Sequence, residues 1–329
     1  MRGLAAILLA VALLAVVPAL TTSNVALNFM VATLLMALVG QGWNVLGGYG
    51  GQYSFGHAAF FGTGAYATAI LQLRYSINAW AAFGMGTATA ALLGAIIGAL
   101  CFRSGLKGSY FALVTLAFAE VLRILASVAP ITGAGVGLLI KLDLRPEAFQ
   151  FQSRAPFYWI VLALVAASLV LVHAIENSRF GAWLAAVREN EDAAGALGVD
   201  VMRIKLAAMT ISAPIAGAAG CFYAQYFLFI DAGIAYGSWI SVEALLAPII
   251  GGVGTVLGPL LGALVIKSLG ELTKLMTGDA PGLDLAVYGA MLIVVVAFAP
   301  RGIAGALLDW RDRLRRRGAG APVLERGHG

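Results

Sequence analysis

The sequence predicts an all-α, polytopic integral membrane protein with about 10 transmembrane helices. Three observations carry this prediction: 61% of the 329 residues are hydrophobic, only 11% are charged, and the mean hydropathy is +0.91. Many apolar runs reach the ~20 residues that a helix needs to cross a bilayer. This composition excludes a soluble globular domain.

Ten candidate spans follow one another along the chain. They occupy residues 4–21, 25–46, 52–73, 79–101, 109–130, 157–175, 205–228, 239–257, 258–276 and 284–300. We predict that the first is a retained span and not a cleaved signal peptide, because no clean small-residue cleavage site follows it. Glycines and prolines between Pro248 and Pro259 interrupt one apolar region, so the alternative for the eighth and ninth spans is a broken or re-entrant pair.

Basic residues predict the orientation, because cytoplasmic loops are rich in Lys and Arg. With the N-terminus inside, both termini are cytoplasmic, residues 1–306 form one transmembrane domain, and residues 307–329 form a flexible, basic cytoplasmic tail. The tail follows an apolar run, so its charge predicts membrane anchoring and no nucleic-acid partner. The residues placed inside are Arg2, Arg103, Lys107, Arg179, Arg188, Arg203, Lys205, Arg301 and the tail arginines. Those placed outside are Arg74, Lys141, Arg145, Arg154 and Lys274.

Residues 176–205 form a charged, helix-forming amphipathic segment between two long apolar runs, so the segment must lie in water. Its small, helix-favouring alanines suit a cleft on a partner protein. Arg188, Glu189 and Glu191 flank these alanines and are predicted to fix the register of that contact. The alternative is a solvated helix lying on the inner membrane surface. The alanines are Ala185, Ala186, Ala193, Ala194 and Ala196.

Glycines predict two further features. The sets Gly94 and Gly98, and Gly254, Gly258 and Gly262, are spaced four apart and are predicted to line closely packed helix faces. Between residues 47 and 51 glycines are too dense for a regular helix, since each costs about 1 kcal/mol relative to alanine. We expect an unwound turn beside a cavity there.

The loop at about 131–156 is long enough to fold back as a short element, either as a docking lip for a soluble partner or as a solvated loop. Inside the predicted spans, Glu120 and Arg123 stand three apart and are predicted to pair on one helix; lining the path or contacting a neighbouring subunit is the alternative. Glu243 and Lys267 raise the same question. A proton relay would make them coupling residues of a secondary transporter, but no chain of carboxylates follows one span.

Enzyme chemistry is not predicted. The three histidines are far apart and have no metal-ligand spacing, so we expect no metal and no cofactor. Neither Lys107 nor Lys267 follows the glycine that a phosphate-binding loop requires, so the chain is not expected to hydrolyse ATP. Cys101 and Cys221 lie in apolar runs and are predicted to be small core residues.

Four stretches carry a family resemblance: WNVLGGYGGQYSFGHAAFFGTGAYA at 43–67, GSYFALVTLAFAE at 108–120, SRFGAWLAAVRENEDAAGALGVD at 178–200 and PIIGGVGTVLGPLLGAL at 248–264. Over about residues 38–306 the chain resembles the permease subunits of ATP-binding-cassette (ABC) importers for branched-chain amino acids, specifically the M-type (LivM-like) subunit. The resemblance implies the ABC importer permease fold with a cytoplasmic coupling helix, in a bacterial cytoplasmic membrane.

The resemblance also implies partners: a homologous second permease subunit, two cytoplasmic ABC ATPases and a periplasmic binding protein. Glu191, Ala193, Ala194 and Gly198 match the family's loose Glu-Ala-Ala and glycine coupling pattern. Asp192 stands between the glutamate and the alanines, so the match to the pattern is approximate.

No set of residues in the sequence offers a clamp for the ammonium and carboxylate of an amino acid. We therefore expect a low-affinity passage lined by Tyr53, Ser54, His57 and Thr63. Similar permeases serve urea, other amides or aromatic acids, which stay open as substrates. A proton-coupled secondary transporter and a membrane scaffold that moves nothing are the alternatives from other classes.

Overall fold

The computed structural model describes residues 2–21, 23–277, 286–287, 289–290 and 302–303. Most of the tenth predicted span at 284–300, Arg301 and the tail at 307–329 therefore lie outside the described residues. The helices are α1 (Arg2–Ala15), α2 (Val17–Leu20), α3 (Asn24–Trp43), α4 (His57–Tyr75), α5 (Ala79–Arg103), α6 (Gly108–Val128), α7 (Ala155–Glu176), α8 (Arg179–Glu189), α9 (Glu191–Ala196), α10 (Val201–Phe227), α11 (Ala232–Ala235), α12 (Ser238–Gly251) and α13 (Gly258–Thr277). The strands are β1 (Leu138–Leu139) and β2 (Phe229–Ile230).

Within the described part of the chain, seven helical stretches are long and apolar enough to cross a membrane. They are 3–20, 24–49, 79–103, 108–128, 155–176, 201–227 and 232–251. The α-helical, polytopic class is thereby confirmed. The third and ninth predicted spans are also helices, α4 and α13, but they are not among the seven, and the count of ten stays a prediction.

The predicted break after α3 exists, but its form differs from the expectation. α3 continues into a π-helical turn over Asn44–Tyr49, and non-helical chain follows until α4 begins at His57. A helix starting at residue 52 is therefore wrong, and Gly51 adopts φ +66° in the intervening stretch. All six residues of the π-turn are buried, and the expected cavity beside the turn stays a prediction.

Glycines bring α10 into close contact with α4 and α5. Gly94 and Gly98 on α5 face Ala213 and Met209 on α10, as the spacing predicts, and a side chain at Gly220 on α10 would overlap the α4 backbone. Small residues permit this approach of membrane helices. Both cysteines are buried and unpaired in the same helix layers, which confirms them as core residues.

The α12–α13 region is a short hairpin. α12 alone has 14 residues, about 21 Å at 1.5 Å per residue, and it reaches the length of a membrane span only together with α11, over residues 232–251. The broken-pair alternative stays a prediction. Gly254 lies in the connecting turn with φ +70°, so the prediction that it shares a helix face with Gly258 and Gly262 is wrong. The latter two do abut the α12 backbone.

The loop after α6 folds back, as its length predicts. β1 pairs antiparallel with β2, Leu138 opposite Ile230 and Leu139 opposite Phe229. Phe149 is fully buried among aromatic rings that include Trp80, whose centroid lies 4.2 Å away. This end of the helix bundle, with the loop at 130–154, is called the loop end below. The end with α8 and α9 is called the segment end.

Candidate functional site

The segment at 176–205 is not one helix. Three small polar residues, Ser178, Asn190 and Asp200, each accept hydrogen bonds from backbone N–H groups two or three residues on, at 3.0–3.1 Å. Such side chains cap and start helices. They divide the segment into α8, α9 and the first turn of α10, and they are the signal that a purely amphipathic interpretation misses.

α8 and α9 present a small, partly apolar surface to solvent. A stripe on α8 is buried, with Leu184 and Val187 at its centre. Of the five alanines expected at a partner's cleft, four are exposed and Ala194 is buried. Trp183 and Leu197 are 45% and 86% exposed and were missed by the sequence analysis. Their apolar character outside the buried stripe is the signal that could have identified them.

Glu191 is the centre of an internal ion cluster. Its carboxylate pairs with the Lys107 ammonium, at 3.1 Å, and with Lys205 of α10, and it accepts a hydrogen bond from the Gln52 amide at 3.3 Å. Lys205 is buried, and its Nζ lies 5.7 Å from the centroid of the Phe102 ring. Glu191 therefore ties α9 to three other parts of the chain, with its side chain only 17% exposed.

The lysines keep Glu191 ionised. Burial alone would raise the pKa of this carboxyl group, but hydrogen bonds and charges from Lys205 and Lys107 outweigh it and lower the pKa. The hydrogen bond from Lys107 to Glu191 raises the pKa of Lys107 in turn. Glu191 and Lys107 are therefore both charged at neutral pH.

Arg188 connects α8 to the π-turn. Its Nη1 donates a hydrogen bond to the Gly48 carbonyl oxygen at 3.0 Å, and its Nη2 donates to Glu189 at 3.0 Å. The aliphatic part of Arg188 lies against Gly51, where a side chain would clash with it. Arg188 thus reaches from the exposed segment into the buried end of α3.

The π-turn is tied in turn to the α12–α13 connection. The Asn44 side chain donates to the Thr255 carbonyl at 3.0 Å and accepts from the Gly254 N–H at 2.9 Å. Gln41 donates to the Val256 carbonyl at 2.9 Å. Hydrogen bonds thus connect the segment, through α3, with the α12–α13 hairpin.

A groove of about 430 Å³ separates α9 from the α5–α6 turn. Lys107, Glu191 and Asp192 line it together with the start of α10. Gly198, between α9 and α10, adopts φ +89°, and a Cβ at this position would lie in open space. Of the residues expected to contact a partner, Arg188, Glu189, Ala193 and Gly198 are thus exposed.

The four residues expected to line a passage differ in burial and in their contacts. Tyr53 is 48% exposed. Ser54 is fully buried, as is His57, which shares a 2.9 Å hydrogen bond with Ser212. Thr63 bonds to Tyr236 at 3.2 Å. In this conformation three of the four have hydrogen-bond partners in the helix packing, and a shared lining stays a prediction.

Both pairs of charges inside the predicted spans form ion pairs. On α6, Arg123 Nε donates to Glu120 at 2.9 Å, and both side chains are more than a third exposed. Lys267 on α13 contacts Glu243 on α12 at 2.8 Å, and both are about one-fifth exposed. The first pair lies within one helix, whereas the second joins two helices.

The chain is similar to known transport proteins. The family described as branched-chain amino acid transport system / permease component matches residues 25–296. The high-affinity branched-chain amino acid transport system permease protein LivM of Escherichia coli (strain K12) is 28% identical over 320 residues, 90% of this chain and 74% of LivM. A probable LivM of Methanocaldococcus jannaschii is 28% identical over 76% of this chain and 77% of its own length. LivH of E. coli K12 is 30% identical over 45% of this chain and 46% of LivH. No solved structure matches significantly.

Proposed function

The chain belongs to the family of branched-chain amino acid transport system permease components, and we propose that it carries branched-chain and similar hydrophobic amino acids inward as one permease subunit of an ABC importer. The similarity to LivM proteins of branched-chain amino acid transport systems supports this substrate class. Family membership makes the chain a membrane transport subunit. We propose that separate partner subunits hydrolyse ATP.

We propose a heterodimer with a second permease, because the relatives include both LivM and LivH proteins. Two ATPases would bind at the segment end, which places that end and both termini in the cytoplasm. A binding protein would deliver substrate at the loop end, in the periplasm. The membrane is then the bacterial cytoplasmic membrane.

The observation that carries this proposal is the connection of the segment to the helices. α8 and α9 expose alanines, Trp183 and Leu197 to a partner, while Glu191 and Arg188 fix the segment to the α5–α6 turn, α10 and the π-turn. A solvated helix lying on a membrane surface needs no such attachments. A movement imposed by an ATPase on the exposed face would therefore reach α3 and the α12–α13 hairpin.

This arrangement divides the predicted coupling residues into two roles. Arg188 and Glu191 are positioning residues that hold the segment in place. Glu189, Ala193 and Gly198 are offered to the ATPase, whereas Ala194 packs inward. The passage lined by Tyr53, Ser54, His57 and Thr63 is proposed for a conformation in which α4 and α10 have separated.

The test is uptake of radiolabelled leucine into proteoliposomes that hold the chain with its candidate permease, ATPases and binding protein. We expect uptake with ATP inside and none without it, unaffected by an uncoupler of the proton gradient. Uptake that needs no ATP and stops with the uncoupler would identify a proton-coupled transporter. ATP hydrolysis stimulated by a loaded binding protein without leucine uptake would shift the substrate to urea, other amides or aromatic acids.

A further inference from the structure

A cavity of about 260 Å³ lies between α3, α10, α12 and α13. Phe227 and Trp239, at the loop-end termini of α10 and α12, are the two most exposed of its described lining residues, at 50% and 40%. The most exposed part of the lining therefore lies at the loop end, the side from which the proposed function brings substrate.

Two opposite charges line this cavity. Glu243 projects from the first half of α12 and Lys267 from the middle of α13, and both belong to the lining. Charged residues among membrane helices are costly unless they are paired, and they usually mark a substrate or ion path. An ion pair that served only to join α12 to α13 would not need to face a cavity.

The remaining walls are mostly aliphatic and aromatic. Val31, Leu35 and Val39 contribute one face from α3, and Ile240 and Tyr223 contribute others. Ligand sites combine such apolar walls with a few polar groups that fix orientation, in volumes of about 300–1,000 Å³ for drug-sized ligands. A cavity of about 260 Å³, just below that range, suits a solute smaller than a drug.

Resting on the proposed function, we propose that this cavity is the substrate site of the chain, and that the Glu243 carboxylate binds the ammonium and the Lys267 ammonium binds the carboxylate of an aliphatic amino acid. The ligand's side chain would lie among Val31, Leu35 and Val39. Neither the family description nor the relatives' names assign these residues a role.

Charge balance supports a zwitterion as the ligand. Glu243 and Lys267 neutralise each other across 2.8 Å in the free chain. A zwitterion that enters between them replaces one ion pair with two, so that no charge is left without a partner, which is the costly state in a low-dielectric site. A neutral amide such as urea, or an acid without an ammonium, would leave at least one of the two unpaired.

The loop-end part of the lining is held in place before any ligand arrives. Tyr226, which also lines the cavity, accepts a hydrogen bond from Arg154 at 2.6 Å and donates one to Asn28. Its ring is thereby fixed beside the cavity. Side chains locked by such contacts reduce the cost of ordering a site on binding.

The sequence alone does not reveal this site. Glu243 and Lys267 belong to different helices, and the residues between them include the α12–α13 turn. Only the hairpin, closed by the glycine contacts of α12 with α13, brings the carboxylate and the ammonium to one cavity.

The first test is leucine uptake by the assembled importer carrying Glu243→Gln or Lys267→Met. We expect each substitution to lower uptake at least tenfold. The charge-reversed double variant, Glu243→Lys with Lys267→Glu, keeps an ion pair between the helices but reverses the clamp, and we expect it to stay at least tenfold low. Uptake restored by the double variant would show a structural pair and overturn the proposal, as would wild-type uptake in the single variants.

The second test uses ligand analogues and does not require a transporting complex. The full chain in lipid nanodiscs would bind radiolabelled leucine in competition with leucine methyl ester, which lacks the carboxylate, or 4-methyl-2-oxopentanoate, which lacks the ammonium. We expect the ester to compete about tenfold more weakly than leucine in wild type and about equally with it in Lys267→Met. We expect 4-methyl-2-oxopentanoate likewise to compete about tenfold more weakly than leucine in wild type and about equally with it in Glu243→Gln. Discrimination unchanged by these substitutions would overturn the proposal.

The third test uses a variant that leaves both charges intact, so that a loss of binding cannot result from breaking the ion pair between α12 and α13. Ala32 lines the cavity, and Ala32→Leu should weaken leucine binding about tenfold and alanine binding less, whereas Ala81→Leu on the exposed surface of α5 should change neither. Equal effects of Ala32→Leu and Ala81→Leu would contradict the site.

The two proposals can fail separately. If the wild-type importer shows no ATP-dependent leucine uptake, the proposed function fails. If wild type transports leucine and the cavity variants transport it equally well, only this inference fails.

Discussion

Two glutamate–lysine clusters lie in different parts of this chain, one at the segment end and one between α12 and α13. The Glu191 cluster at the segment end joins α9 to Lys107, Lys205 and Gln52. It thereby connects α9 to the α5–α6 turn, to α10 and to the stretch between the π-turn and α4. The Glu243–Lys267 pair joins two helices and faces a cavity with aliphatic walls. Among the described residues, Glu191 thus has three side-chain partners, whereas Glu243 has one and lies beside a cavity.

The difference separates a positioning cluster from a binding site. A carboxylate with three partners is saturated by the fold, so its loss should affect structure first and transport as a consequence. A carboxylate with one partner and a cavity beside it can exchange that partner for a ligand. The predictions below test this separation, starting with the largest expected effect.

Removing the Glu191 charge should cost the most stability. Glu191→Gln leaves the buried Lys205 ammonium without its carboxylate, a loss of about 3–5 kcal/mol for breaking a buried pair from one side. Thermal unfolding of the purified chain in detergent measures it. Asp192→Asn is the matched control, because Asp192 is 93% exposed and should change stability by less than ~0.5 kcal/mol. Equal shifts for the two would contradict an internal role for Glu191.

An exposed apolar residue on the segment should matter for transport and not for stability. Leu197→Asp adds a charge where a partner surface is expected, and a loss of about 1.4 kcal/mol of binding there would weaken ATPase association about tenfold. Co-purification of the ATPases measures this association. Leu197→Met should retain it. Association unchanged by Leu197→Asp would remove this surface from the proposed contact.

Loss of the α9 cap should have a moderate effect. Asn190→Ala removes the side chain that accepts hydrogen bonds from two N–H groups of α9, a change worth about 1 kcal/mol. Asn190→Ser, which keeps an acceptor, should recover most of it in the same unfolding measurement. Equal stability of the alanine and serine variants would show that the break between α8 and α9 does not depend on this cap.

The effect of acid on the Glu191 cluster is the smallest of the expected effects. The pKa of Glu191 is lowered in the folded chain, so its contribution is complete above the ordinary glutamate pKa of about 4.3. That contribution is lost as pH falls through the lower folded pKa. Melting temperatures should therefore vary little between pH 5 and 8 through this group, and the difference between wild type and Glu191→Gln should shrink below about pH 4. A difference that persists there would contradict an ionic cause.

Much of the fold could be predicted from the sequence, because apolar run length and glycine spacing act locally. The helices, the break after α3 and the α5–α10 packing through Gly94 and Gly98 follow from such patterns. The start of α4 at His57 and the division of the segment at Asn190 do not, since capping and tertiary contact decide them. The inward position of Glu191 depends on Lys107, which lies far from it in the chain, and on Lys205, which the turn between α9 and α10 brings to it.

The most direct measurement follows ATP hydrolysis and leucine uptake in the same proteoliposomes for wild type, Leu197→Asp and Glu243→Gln. We predict that Leu197→Asp loses both activities together, because the ATPases no longer engage the segment. We predict that Glu243→Gln loses uptake but retains hydrolysis stimulated by loaded binding protein. Glu243→Gln with uptake intact, or Leu197→Asp with both activities intact, would contradict the separation of coupling from substrate binding.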